Sequence, residues 1–256
     1  MDAIKKTLSI YSRILNDEIM GYVPSLFDSV IAEKILKRGK LTVDEACLLA
    51  SRKETPEKVL ALLAKVPEFQ DHYSIKEALV FNSKTPVAVS KSLLNYLHKK
   101  DLVNVITLHD SPYGLKQSAL EFLKNKISEI PVGEKITMAR KAPRDILKIL
   151  LYEQNEMVFD AVLWNPKLTE TDILVMLQKK TGNPVLLSIL SKHSKWKNRY
   201  RIKMELIRNQ ETPLEICEGF VNDLLLQDLR ILLGFPKLRT ETKELVLAAL
   251  KNKTAK

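Results

Sequence analysis

Glycine and cysteine are scarce in this chain of 256 residues, and each scarcity excludes a class of fold. Seven glycines are present, whereas average usage of about 7% would give roughly eighteen. A chain so poor in glycine is unsuited to folds built on tight turns, and it favours helices. The two cysteines, Cys47 and Cys217, are too few for a disulfide framework, and neither has a cysteine or histidine at the spacing of a zinc site. We therefore expect a reduced, cytoplasmic protein with no bound metal and no cofactor.

Long apolar runs and the motifs of common enzymes are also missing. No run approaches the roughly 18 apolar residues of a membrane span, and the N-terminal segment lacks the apolar core of a secretory signal. There is no G-x-S-x-G elbow, no Walker loop, no G-x-G-x-x-G and no H-E-x-x-H. The histidines stand singly and are expected at the surface or at helix ends: His72, His98, His109 and His193. The sequence therefore predicts no membrane partner and no enzymatic activity.

The sequence does contain an internal repeat. Residues 75–126 align with residues 202–253 without a gap, at an offset of 127 residues. The positions that are identical in both segments are, in the first of them, Ile75, Lys76, Leu79, Asn82, Thr85, Pro86, Asn95, Leu97, Asp101, Leu102, Lys116, Leu120, Leu123, Lys124, Asn125 and Lys126. These sixteen identities in 52 positions indicate a repeat architecture.

The period of the repeat is about a third of that offset. A marker residue recurs at spacings of 43, 43, 40, 44 and 43 residues: Gly39, Asn82, Asn125, Asn165, Asn209 and Asn252. The residues two and three places before each Asn are apolar, as at the inward end of a helix. We therefore predict about five units of ~43 residues.

Each marker is interpreted as a helix stop followed by a helix start. Glycine and asparagine tolerate the left-handed conformation that closes many helices. Three residues after the marker, Thr85 and Thr212 are predicted to cap the next helix with their hydroxyls. Pro86 and Pro213 then fall at its first position, where a missing N–H costs nothing.

Three pairs of residues have the spacing of capping boxes: Thr42 with Glu45 and Thr212 with Glu215, which add to the cap after a marker, and Ser74 with Glu77, which caps a helix within a unit. Additional helix starts are predicted at Thr55–Pro56, Asp101, Pro143, Pro184 and Asp228. Each unit is then predicted to hold three short helices, which in one unit are residues 43–51, 56–65 and 74–81. Helices this short are unstable alone, so they must pack against their neighbours.

Units of this length made of short antiparallel helices resemble HEAT and armadillo repeats. The stretch "LWNPKLTETDIL", residues 163–174, is similar to degenerate HEAT-like and leucine-rich-variant repeats of bacterial proteins. The resemblance covers about residues 25–253, and it implies an all-α fold, a right-handed α-solenoid in a single domain. Residues 1–38 would form an N-terminal helical cap, 39–239 the repeats, and 240–256 a C-terminal capping helix and tail. Some such proteins carry an iron–sulfur cluster on N-terminal cysteines that this chain lacks, so no cluster is inferred.

The chain is basic, with a formal net charge of +10, and one segment concentrates the excess. Residues 191–209 contain seven Lys or Arg and one Glu. At helical spacing, Trp196, Tyr200, Met204 and Ile207 fall on one stripe that has cations on both flanks. The candidate contacts for an anion, a nucleic acid or a partner are Lys192, Lys195, Trp196, Lys197, Arg199, Arg201 and Lys203. The same pattern fits a core face whose flanking cations extend into solvent.

A helical repeat protein without catalytic residues is typical of a binding function. We therefore expect a non-enzymatic scaffold that mediates protein–protein interaction. The alternative is a nucleic-acid-binding HEAT-like protein that uses the basic and aromatic residues of 192–203, with a role in DNA repair. A third hypothesis is a HEAT-like DNA glycosylase, but the chain offers only Trp164 and Trp196 and does not match the catalytic pattern residue by residue. Trp164 itself is expected to pack in the core.

Overall fold

The computed structural model describes residues 41–179 and 183–254, and the regular structure within these ranges is entirely helical. The all-α prediction is therefore confirmed for this part of the chain. The predicted N-terminal cap and the first marker, Gly39, lie outside the described residues. Inter-residue contacts divide the chain into two compact units, Met1–Ser128 and Glu129–Lys256.

The first unit contains six α-helices in its described part. They are α1 (Val43–Ser51), α2 (Glu57–Leu63), α3 (Tyr73–Phe81), α4 (Val87–Leu93), α5 (Lys99–Thr107) and α6 (Tyr113–Lys126). Single 3₁₀ turns, Pro67–Phe69 and Leu94–Tyr96, precede α3 and α5.

The second unit contains nine α-helices in its described part. They are α7 (Val132–Lys141), α8 (Arg144–Leu150), α9 (Glu156–Trp164), α10 (Glu170–Gln178), α11 (Pro184–Lys192), α12 (Tyr200–Arg208), α13 (Leu214–Val221), α14 (Leu226–Leu233) and α15 (Thr240–Thr254). A third 3₁₀ turn, Ile127–Glu129, lies at the boundary between the units.

The helices form consecutive sets of three in which the first helix packs against the third. Such contacts join α1 to α3 and α4 to α6 in the first unit, and α7 to α9, α10 to α12 and α13 to α15 in the second. The helices predicted at 43–51, 56–65 and 74–81 are present as α1, α2 and α3, with bounds that differ by at most two residues. The right-handed superhelix stays a prediction.

The repeat at an offset of 127 residues is longer than the sequence alignment indicates. Helices α10 to α15 begin 127 residues after α1 to α6, each at the corresponding position. The capping box at the start of α1, in which the Thr42 amide donates to Glu45 (2.9 Å), recurs at the start of α10, where the Thr169 amide donates to Asp172 (3.1 Å). The six helices of the first unit therefore have six counterparts in the second, and α7 to α9 form an additional set.

Each unit has its own apolar core. In the first unit, buried Leu49, Leu60 and Ile75 bring α1, α2 and α3 together. In the second, Ile207 and Leu229 belong to a cluster that also includes residues of α13 and α15. Each such side chain contributes about 1.5–3 kcal/mol when fully buried, which is how helices too short to be stable alone are held in place.

The marker asparagines end helices by a different mechanism from the predicted one. Asn82, Asn165 and Asn209 are C-cap residues with φ of −81°, −65° and −78°. The prediction of a left-handed conformation at these residues is therefore wrong. Their side-chain amides donate to carbonyls of an earlier helix, as Asn82 does to Ala50 (2.7 Å) and Arg52 (2.8 Å). The prediction of a stop at the remaining described markers is also wrong, since Asn125 and Asn252 lie inside α6 and α15.

The predicted threonine caps at α4 and α13 are wrong as well. These helices begin after Pro86 and Pro213, which hold the N-cap position itself, so each threonine is one residue too far out to reach the first free amides. Thr85 and Thr212 are buried, and their hydroxyls have no hydrogen-bond partner among the described residues.

The other predicted capping pairs have mixed outcomes. The box of Thr42 with Glu45 is present, whereas the one predicted for Thr212 with Glu215 is not. Ser74 lies inside α3, whose N-cap is a histidine without a side-chain cap, so that predicted cap is wrong.

Candidate basic surface at the end of α9

The basic segment is not one helix. Helix α11 ends at Lys192 and α12 begins at Tyr200, and residues 193–199 form a turn-rich loop between them. The prediction that Trp196 begins a continuous helical face is therefore wrong. From Tyr200 onward the predicted inward face is present, because Met204 and Ile207 are buried.

Trp196 fixes this loop to the preceding set of helices. Its ring is 3% exposed, and its Nε1 donates to the carbonyl of Leu163 at 3.0 Å. The indole is thus fully enclosed and hydrogen-bonded, as a buried tryptophan usually is. The ring lies in the core, where no base or partner can stack on it.

The cations of the segment divide into paired and unpaired groups. Lys203 forms an ion pair with Asp223, and Arg208 forms one with Glu205 at 3.0 Å. The remaining exposed cations make no ion pair within the described part of the chain: Lys192, Lys197, Arg199 and Arg201. A charge that is not neutralised in the folded protein stays available to an anionic ligand.

Lys195 is partly buried at the end of α9. Its Nζ donates to the carbonyl of Asn165 at 3.3 Å and lies 4.4 Å from the centroid of the Trp196 ring. Burial lowers its pKa from the usual value, and the nearby Arg199 charge lowers it further.

Trp164 is exposed, which contradicts the expectation of core packing. It is the last residue of α9, its side chain is 58% exposed, and its ring contacts that of His193 with centroids 4.4 Å apart. The interior at this end of α9 is occupied by buried Leu163 and Trp196, so the second tryptophan is left at the surface.

His193 lies at the end of α11, as the sequence analysis predicts for a single histidine, and it is buried. Its Nδ1 accepts a hydrogen bond from the Lys195 amide at 3.2 Å, so the neutral ring carries its proton on Nε2, which has no partner among the described residues. Burial lowers the pKa of His193, the Asp160 carboxylate opposes that shift, and Lys195 adds to it.

The described residues show how three kinds of reactive group are placed. No group of three or more His, Cys, Asp or Glu within them could hold a metal ion. Burial raises the pKa of the Cys217 thiol to about 11, so it is not a nucleophile at neutral pH. Lys135 and Glu153 neutralise each other in a buried ion pair at 2.6 Å.

Among the helices that the structure describes, none has the length and apolar character needed to cross a membrane.

Comparison with the residues 127 positions earlier shows that the helices form without the cations of this surface. The residues at 127 positions before Lys195, Lys197, Arg199 and Arg201 are, in order, Glu68, Gln70, His72 and Ser74. The same backbone therefore forms without the positive charges. Sequence reasoning missed this comparison because the alignment started at residue 75, although Tyr73 with Tyr200 and Thr42 with Thr169 extend it.

A second surface that sequence reasoning missed lies on α14. Leu225, Leu226 and Ile231 are 56%, 37% and 56% exposed. The corresponding residues 127 positions earlier, around α5, are His98, Lys99 and Asn104, so the helix does not need apolar residues there. We call Leu225, Leu226 and Ile231 the α14 patch.

Comparison with protein-family models, with curated proteins and with solved structures finds no significant match to this chain.

Proposed function

We propose that the protein is a non-enzymatic α-helical repeat scaffold of the HEAT or armadillo kind, a right-handed α-solenoid, and that it binds another protein. The observation that carries this proposal is the set of three exposed apolar residues that forms the α14 patch. Leu225 and Leu226 adjoin at the start of the helix, and Ile231 lies about 140° around it from Leu226. Large apolar side chains that are exposed without a packing role commonly lie at sites of protein–protein contact.

The repeat makes the α14 patch informative. Scattered exposed apolar residues are normal on any protein and need no explanation. Here, however, three positions of one helix are apolar in the second copy and polar in the first. Since both copies form the same helix at the same offset, packing within the fold does not account for the difference.

The α14 patch can be tested with substitutions that the repeat already contains. Cross-linking of the full chain in its source lysate, followed by mass spectrometry, identifies a partner, and calorimetry with the purified partner gives its affinity. In the triple variant Leu225→His, Leu226→Lys and Ile231→Asn we expect at least about a tenfold loss of affinity, since loss of a single interface hot spot costs about 2 kcal/mol or more.

A matched control is Tyr113→Thr, which changes an exposed residue of α6 to its counterpart in α15 and is expected to leave the affinity unchanged. Unaltered binding by the triple variant, or the lack of any protein partner, would contradict the proposal.

A second candidate function is nucleic-acid binding through residues 192–203. It is supported by the four exposed cations without an ion pair, Lys192, Lys197, Arg199 and Arg201. Lysine and arginine bind the phosphate backbone without regard to sequence, and such binding weakens as salt is added.

The charge cluster can be tested with a variant that takes its residues from the first copy, Lys197→Gln, Arg199→His and Arg201→Ser. Affinity for DNA and RNA oligonucleotides is measured at about 50 mM salt, where such contacts are strongest. The control replaces three exposed lysines of the first unit, Lys53, Lys58 and Lys65, with glutamine. Equal weakening in both variants would assign binding to net charge rather than to this surface.

A further inference from the structure

Three contacts hold the basic loop against the end of α9. Trp196 donates to the Leu163 carbonyl at 3.0 Å, Lys195 donates to the Asn165 carbonyl at 3.3 Å, and the His193 ring lies against that of Trp164. The contacts involve the last two residues of α9, Leu163 and Trp164, and its C-cap, Asn165. They place the loop that carries the cations next to the exposed indole.

The indole of Trp164 contacts one buried ring and is otherwise largely exposed. That ring belongs to His193, which is tilted by 55° against the indole and accepts a hydrogen bond from the Lys195 amide. The contact positions the indole while 58% of the residue stays accessible. An aromatic side chain held in this way can receive another flat ring without first being ordered, which lowers the cost of binding.

Cations lie on the loop side of this indole. Lys195 contacts the residue next to Trp164, and Lys192 directly precedes His193. Lys197 and Arg199 follow on the same loop and are exposed. One acid is close, Asp160, which lies one turn before Trp164 on α9 and acts on His193. The four cations therefore outnumber the one nearby acid around this loop, and Asp160, which acts on the loop residue His193, offsets part of their potential.

We propose that Trp164 with Lys192, Lys195, Lys197 and Arg199 forms a binding site for single-stranded nucleic acid, in which a base stacks on the indole and the backbone phosphates meet the cations. This inference rests on the second candidate function and names its ligand. Sequence-independent sites for single strands combine these two features, a basic track and an aromatic platform. A duplex keeps its bases stacked on each other, so it can use the cations but not the indole.

Fluorescence provides a direct test, because one tryptophan is exposed and the other is enclosed. A labelled dT20 oligonucleotide is titrated with the full chain at about 50 mM salt, and both its anisotropy and the tryptophan emission are followed. We expect binding to quench the emission of the wild-type protein. The Trp164→Phe variant is expected to keep most of the affinity and to lose the quenching, since phenylalanine retains a face for stacking.

The Trp164→Ala variant is expected to bind dT20 about 5- to 100-fold more weakly, which is the effect of removing one stacked aromatic. Its affinity for duplex DNA should change little. If this variant does not fold, the quenching of tryptophan emission in the wild type and its loss in Trp164→Phe show whether dT20 contacts the Trp164 indole.

The possible failures are distinguishable. If the charge variant Lys197→Gln, Arg199→His, Arg201→Ser weakens dT20 binding and Trp164→Ala does not, the stacking site is refuted and the second candidate function stands. If dT20 does not bind but duplex DNA does, only the stacking site is refuted; if neither DNA nor RNA binds, the second candidate function is refuted as well. Tighter binding of polyglutamate than of dT20, or an equal loss in Trp164→Phe and Trp164→Ala, also overturns the inference.

Discussion

Three buried asparagines each connect the third helix of a set to the first by hydrogen bonds that span long distances in sequence. Asn165 donates to the Ala139 carbonyl (2.6 Å), and Asn209 donates to that of Leu177 (3.2 Å), in the same manner as Asn82. Each side-chain oxygen also accepts the backbone amide two residues later. The carbonyls at the end of a helix have no partner within that helix, so the asparagine satisfies groups that would otherwise be buried without one.

Replacement of each asparagine by alanine should lower the free energy of unfolding, and the loss should be larger where the asparagine donates more hydrogen bonds. We expect Asn82→Ala to lower the free energy of unfolding by about 2–3 kcal/mol, because two buried carbonyls lose a donor. Asn209→Ala, with one longer bond, should cost less. Urea denaturation measures both values.

The control for this experiment is Asn125→Ala. Asn125 is a marker in the sequence but is exposed within α6, so its replacement should change the stability by no more than about 0.5 kcal/mol. Comparable losses at positions 82 and 125 would show that the hydrogen bonds of Asn82 are unimportant.

The buried His193 should make stability sensitive to acid. Burial lowers its pKa in the folded state below the ordinary value of 6.5, so the unfolded chain binds the proton more tightly. Stability is therefore lost as the pH falls below 6.5, with Asp160 limiting the loss and Lys195 increasing it.

This effect can be isolated with His193→Val, which introduces the residue found 127 positions earlier, Val66. The decrease in the free energy of unfolding between about pH 7 and pH 5.5 should be smaller in this variant than in the wild type. An identical decrease in both proteins would mean that His193 titrates normally.

At the scale of single helices, α5 and α14 share a cap that uses a tyrosine. The Tyr73 hydroxyl accepts the His98 amide at 3.1 Å and donates to Asp101, the third residue of α5. Tyr200 does the same between Leu225 and Asp228 at the start of α14. In an ordinary capping box the third residue binds the N-cap amide directly. Here a hydroxyl from the preceding set of helices is placed between them, so the cap also joins two helices.

Removal of the tyrosine hydroxyl should destabilise the protein at both caps, and more at Tyr73 than at Tyr200. Burial, followed by the hydrogen bond to Asp101, raises the pKa of Tyr73 to about 12, so the hydroxyl is protonated under ordinary conditions. Tyr73→Phe should lower the free energy of unfolding by about 1–3 kcal/mol, since buried Asp101 and the His98 amide both lose a partner.

Tyr200→Phe should cost less than Tyr73→Phe, because Asp228 is more exposed than Asp101 and can be hydrated instead. Urea denaturation of both variants checks the order of the two losses. A larger loss at Tyr200 would contradict the role assigned to burial.

At the scale of the whole molecule, the six-helix repeat separates what the fold requires from what the surface adds. Equivalent helices begin at the same offset, and the capping boxes, the tyrosine caps and two of the buried asparagines recur with them. The α14 patch and the exposed cations of residues 195–201 do not recur. Because these surface residues occur in only one of the two copies, the fold does not explain them, and they are the candidates for a function.

This separation predicts that surface residues of the second copy can be exchanged for those of the first without loss of stability. The variants Lys197→Gln and Arg201→Ser should each change the free energy of unfolding by no more than about 0.5 kcal/mol, measured by urea denaturation. The reverse expectation holds for buried Leu206, where a polar residue should be strongly destabilising. A loss above 1 kcal/mol at either exposed position would show that its charge supports the fold.

The sequence by itself determined the helical class and the bounds of several helices. These features depend on neighbours within a few residues, such as the spacing of apolar side chains and the capping box of Thr42 with Glu45. The candidate surface was located in sequence by its charge, and four of its cations are exposed in the structure, Lys192, Lys197, Arg199 and Arg201.

Only the tertiary structure decided which side chains of that segment are accessible and what the asparagines do. The residues next to Trp164 and Trp196 in the chain do not show which ring is accessible, yet one is exposed and the other donates a hydrogen bond to a residue 33 positions earlier. Asn82 likewise bonds a helix that ends some 30 residues before it. Contacts of this range depend on how the helices pack, which local patterns do not encode, so the exposed indole beside the cations could be recognised only in the folded protein.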